Sequence, residues 1–107
     1  MAEMFGQCSN LTSLDLSSFD TSNVEYIYQM FAHCSALETI YVSTNFVTTS
    51  VTGEYDSWHM FYECGNLSGE NGTSYNDSIV DKTYARIDGG QNSATPGYFT
   101  LGPAPTT

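Results

Sequence analysis

The chain has 107 residues, 40% of them hydrophobic and 14% aromatic, enough apolar material for one domain with its own core. Charge is sparse and one-sided: twelve Asp and Glu stand against two Lys and Arg, for a net charge of −10. That balance leaves nothing to neutralise a run of phosphates, so nucleic acid is excluded as a partner, and it disfavours docking on an anionic membrane. No apolar run approaches the ~20 residues of a spanning helix, so direct membrane insertion is not expected. Met1-Ala2-Glu3-Met4 lacks the basic and apolar regions of a secretory leader. The chain is thus expected to be either intracellular or part of a longer protein.

The first pattern met along the chain is repeated twice more. Met4-Phe5-Gly6-Gln7-Cys8-Ser9-Asn10-Leu11 reads M-F-x-x-C-x-x-L, as do Met30 to Leu37 and Met60 to Leu67; the cores lie 26 and then 30 residues apart. After the first core, Leu14 and Leu16 flank Asp15 with a period of two, the mark of a half-buried strand. Ser22-Asn23-Val24-Glu25 has the form of a capping box, and Val24, Ile27, Tyr28 and Phe31 follow at helical spacing. A helix of about ten residues is therefore predicted before Cys34. The second core leads into Ile40 and Val42, with Tyr41 on the opposite face. Tyr55 to Tyr62 matches the first predicted helix, with Trp58 and Phe61 on one face.

A strand, a turn and a short helix cannot bury their own apolar sides, but stacked copies can. The expected fold is an α/β leucine-rich-repeat solenoid of about three strand–helix coils over residues 1–67. Its ladder would comprise Met4, Cys8, Leu11, Met30, Cys34, Leu37, Met60, Cys64 and Leu67. After Leu67, Gly69-Glu70-Asn71-Gly72 cannot continue a buried ladder, while Thr83 to Asp88 alternates and Asp88-Gly89-Gly90 signals a turn. Residues 68–101 are read as a β-rich C-terminal cap and 102–107 as a tail or linker. With only Met1-Ala2-Glu3 before the first core, the expectation is that further repeats precede it, or that copies associate through that end.

The stretch Cys8-Ser9-Asn10-Leu11-Thr12-Ser13-Leu14-Asp15-Leu16-Ser17-Ser18-Phe19-Asp20-Thr21-Ser22-Asn23-Val24 resembles the signature of BspA-like leucine-rich-repeat surface proteins, C-x-x-L-x-x-L-D-L-S-x-F-D-T-S-x-V. Pro96-Gly97-Tyr98-Phe99-Thr100 is similar to the closing segment of that family's arrays. The second repeat departs from it, with Tyr41 at the Asp position and Asn45-Phe46-Val47 in place of F-D-T. The resemblance implies a bacterial cell-surface or secreted protein whose repeats bind host or neighbouring-cell surface or matrix proteins.

Candidate chemistry is thin. Cys8, Cys34 and Cys64 occupy one repeat position, so a column of buried thiols is expected ahead of a disulfide or a zinc site. His33 and His59 lie near two of them, but no C-x-x-C spacing supports zinc. No nucleophile, phosphate-loop or zinc-protease motif occurs, so no enzyme activity and no cofactor are expected. Glu70, Asp77, Asp81 and Asp88 crowd the cap without a calcium-loop pattern and are read as surface acids. Lys82 and Arg86, the only basic side chains, are read as neutralising the acids around them. The outward strand face carries the candidate binding residues Asp15, Ser17, Tyr41 and Ser43, with Tyr41 as anchor. The functional expectation is a non-enzymatic protein-binding or adhesion module. A passive spacer in a longer array is the alternative, and a small metal-binding or catalytic protein comes last.

Overall fold

The computed structural model describes residues 3–6, 8–53 and 55–103. Three short strands, β1 (Ser13–Leu16), β2 (Thr39–Val42) and β3 (Phe99–Leu101), form one sheet in the order β1-β2-β3. All neighbours are parallel. Leu14 lies beside Ile40 and Ile40 beside Phe99, while Asp15, Tyr41 and Thr100 make the adjacent row. Alternation follows the pleat: Ile40, Val42 and Leu16 are buried, Tyr41 is half-buried and Asp15 is exposed. The part of the tail beyond Pro103 lies outside the described residues, as do Met1, Ala2, Gln7 of the first core and Glu54.

The expected α/β strand–helix solenoid is overturned. Among the described residues there is no α-helix, and a single 3₁₀ turn, Lys82–Tyr84, is the nearest thing to one. Where helices were predicted, before Cys34 and over Tyr55 to Tyr62, the chain makes consecutive turns. The amides of Met30, Ala32 and Cys34 donate to the carbonyls of Ile27, Gln29 and Phe31, each three residues back. The amides between them point along the stack instead. Ile27, Gln29, Phe31 and His33 donate to Asp56, Trp58, Met60 and Tyr62 of the next coil at 2.7–2.9 Å. Gln29, His33, His59 and Glu63 hold φ of +53, +64, +51 and +61°, at the third position of their turns, as a type II turn requires. Left-handed backbone costs a non-glycine residue about 1–2 kcal/mol. The offsetting gain is close stacking of one coil on the next, which a ten-residue helix, marginal by itself and rich here in aromatic and β-branched residues, does not supply. Ser22 has no helix to cap; its amide donates to Asp20 Oδ1 at 3.0 Å.

Stacking shows in the side chains. Phe5 lies on Phe31 (5.8 Å, 4°) and Phe31 on Phe61 (5.5 Å, 11°). Met30, Cys34, Leu37, Met60, Cys64 and Leu67 are buried, Cys8 and Leu11 half-buried and Met4 exposed. Thr21 ties the first coil to the second through its hydroxyl, 2.7 Å from both the amide and the carbonyl of Val47.

The third coil has no strand of its own. Gly69-Glu70-Asn71-Gly72 is too polar and too glycine-rich to continue the ladder, and Phe99 takes the place beside Ile40. The segment that brings Phe99 back turns on Asp88. Its carboxylate accepts from the amides of Asn71, Thr73, Gly90 and Gly97 and from the Thr73 hydroxyl at 2.6 Å. Gly69 and Gly97 permit this closeness, since a Cβ on Gly69 would lie 2.2 Å from the Gly97 carbonyl oxygen.

Candidate functional site

The sheet face predicted to bind is only partly assembled. Asp15 and Tyr41 are neighbours in register. Ser17 and Ser43 instead close turns where the strands end: the Ser17 amide donates to Asp15 Oδ1 (3.0 Å) and Ser43 Oγ accepts from the Asn45 amide (3.1 Å). The departing chain also lies there. The Gly102 amide donates to the Val42 carbonyl, and a Cβ on Gly102 would come within 2.9 Å of Ser17 Cβ and 3.2 Å of Tyr41 Cβ. The four predicted residues therefore do not form one accessible platform.

The thiols do a structural job. Cys34 Sγ donates to the Phe5 carbonyl and Cys64 Sγ to the Phe31 carbonyl, both at 3.0 Å, and the cysteines are unpaired. Burial pushes both thiols up, Cys64 from an ordinary 9.0 to about 12, which leaves it inert as a nucleophile. The cap imitates the next coil: the Tyr75 hydroxyl donates to the Phe61 carbonyl where a further thiol would. No group of three or more His, Cys, Asp or Glu among the described residues is placed to hold a metal. His33 Nδ1 lies 2.7 Å from Glu63 Oε2, an exposed pair one coil apart.

A second surface was missed at the sequence level. Tyr26 (54% exposed), Tyr28 (37%), Tyr55 (68%) and Trp58 (45%) project from the stacked turns and, with Gln29 and Asp56, line an open groove of about 440 Å³. The Ile27–Asp56 and Gln29–Trp58 backbone bonds fix its two walls side by side. From its edge, rings continue along the coil: His59 stacks on Trp58 (3.6 Å) and on Tyr62 (4.3 Å), and His33 meets Tyr62 edge-on. Assigning Tyr28 and Trp58 to the buried faces of helices hid this surface. The available signal was their common place two residues before the repeated Met, together with the out–in–out run Tyr26-Ile27-Tyr28.

Residues 1–75, which contain all three repeated cores and stop short of most of the cap, match the family described as "Mycoplasma protein of unknown function, DUF285". No curated protein and no solved structure matches the chain.

Proposed function

The chain belongs to the DUF285 family, and we propose that it serves as a non-enzymatic module, displayed at a cell surface, that binds other proteins. The observation that carries this reading is the row of exposed aromatic side chains held on stacked turns. Large rings left in water are what binding surfaces use as anchors, and here the backbone ladder holds them in position before any partner arrives. The BspA-like resemblance of residues 8–24 supports display at the surface of a bacterial cell. The near absence of Lys and Arg among many Ser, Thr, Asn and Gly residues suits an exposed coat.

The test is direct binding of the chain to a panel of host matrix and cell-surface proteins. Binding should be lost in a Tyr28→Ala, Trp58→Ala double variant that keeps its melting temperature. Binding that survives this variant and is lost instead with Tyr41→Ala would move the site to the sheet face. No binding across the panel would argue against the reading itself.

A further inference from the structure

We propose that the groove between Tyr26, Tyr28, Tyr55 and Trp58 receives an arginine-bearing segment of a partner protein, with Asp56 as its counter-charge. This rests on the binding-module reading and specifies the partner's chemistry.

The lining comes first. Four aromatic side chains line the groove, one face of Trp58 being covered by His59, and a cation over a ring face is attracted by the ring quadrupole. Asp56 stands among them, half-buried, with Oδ2 accepting the Gly53 amide at 3.1 Å, which holds the carboxylate in place. Exposed Glu25 adjoins Tyr26 in sequence.

Charge complementarity then selects the occupant. From Met1 to Asp81 the chain carries eleven acids and no Lys or Arg, so the field over the groove attracts cations and repels acidic peptides. The chain's own two cations are engaged elsewhere. Lys82 Nζ donates to the Val51 carbonyl, and Arg86 Nε donates to the Pro96 carbonyl (2.7 Å) while its guanidinium lies 5.8 Å from the Tyr84 ring centre. Arg86 on Tyr84 is, within this same molecule, the contact proposed for the groove. Arginine fits better than lysine, since a planar guanidinium stacks on a ring while forking to a carboxylate. The open walls, 37–68% exposed, suit an extended segment lying across two coils better than a small ammonium ligand, which needs an enclosing cage.

Trp58 is the only tryptophan in the chain, so its emission reports on the groove it lines. Titrating the whole chain with a short alternating arginine–glycine peptide should shift that emission saturably, and added salt should weaken the effect. The lysine version should bind more weakly and the glutamine version should not bind. Tyr28→Ala should weaken binding about 2- to 30-fold, and Asp56→Asn, which retains an acceptor for the Gly53 amide, about tenfold or more. Circular dichroism on each variant shows that the fold is kept. No saturable shift, or an equal shift with the glutamine peptide or a neutral oligosaccharide, overturns the proposal. If either occurs while Tyr28→Ala, Trp58→Ala still abolishes capture of a matrix protein, the arginine assignment falls and the binding-module reading stands. An arginine-dependent shift with no protein captured would have the opposite meaning.

Discussion

Single side chains do unequal work in this molecule, and Asp88 does the most. Burial alone would push its carboxyl up, but the Thr73 hydroxyl and the amides of Gly90, Thr73 and Asn71 outweigh that and hold it at about 2, against an ordinary 3.8. A carboxyl depressed on folding adds stability that is fully present above the unfolded value and is lost as pH falls through the folded one. The melting temperature should therefore drop between about pH 4 and pH 2, and Asp88→Asn should flatten that part of the curve. Asp88→Ala strands several buried donors at ~1–3 kcal/mol each, so a loss of about 3 kcal/mol or more is expected by urea unfolding. A pH-independent midpoint in the acid range would show that the network is not formed. The thiols give a second prediction. Cys34 and Cys64 are fully buried and Cys8 only partly, so a thiol reagent should label Cys8 first and the other two only on denaturation. Equal native rates at all three would contradict the stacked column.

At the level of elements, β1 and β2 were legible and the turns were not, while the alternating stretch 83–88 makes a 3₁₀ turn and an isolated bridge instead of a strand. Leu14-Asp15-Leu16 and Ile40-Tyr41-Val42 alternate with period two, and only a pleated strand buries every second side chain. The apolar spacing of Ile27, Met30, Phe31 and Cys34 also points to one buried side, but consecutive four-residue turns step three or four residues between inward positions just as a helix does. Period alone cannot separate the two. What separates them is where the amides go, and the partners of Ile27, Gln29, Phe31 and His33 lie 29 residues ahead, beyond the reach of local pattern. The candidate site was lost by the same step, since a helical assignment turns Tyr28 and Trp58 inward. β3 was hidden for another reason: its place beside β2 is filled by Phe99 rather than by the third repeat. Far-UV circular dichroism should accordingly lack the helical double minimum; its presence would restore the strand–helix coil. The positive φ at Gln29 gives a mutational check. Gln29→Gly should be neutral or stabilising by up to about 1 kcal/mol, whereas Gln29→Val should cost about 1–2 kcal/mol in unfolding measurements.

Across the whole molecule the stack has two unlike ends. At one end Tyr75 and Val80 take the places of a further coil, as donor to the Phe61 carbonyl and acceptor from the Phe61 amide, while Phe99 takes the third coil's place beside β2. At the other end β1 is the outer strand of the sheet. Repeat positions that are 0% exposed in the second coil, Met30, Phe31, Leu37 and Ile40, correspond in the first to Met4 at 51% and to half-buried Phe5, Leu11 and Leu14. An apolar face beside an outer strand invites a second strand, and two copies meeting across a two-fold axis would pair β1 with β1 antiparallel. Opposing this is a charge of −10 on each copy, whose repulsion extends about 8 Å at physiological ionic strength and about 3 Å at 1 M. The two terms scale differently with salt, so association should strengthen as salt rises, the reverse of the arginine-peptide contact. Light scattering at increasing protein concentration, at low and high salt, checks this. Leu14→Lys, which places a charge in the half-buried row of the outer strand, should return the protein to monomer, with circular dichroism showing that the fold is kept. A chain that stays monomeric at every salt and concentration would mean that the first coil's half-buried rings and leucines already meet their need for burial within the single molecule.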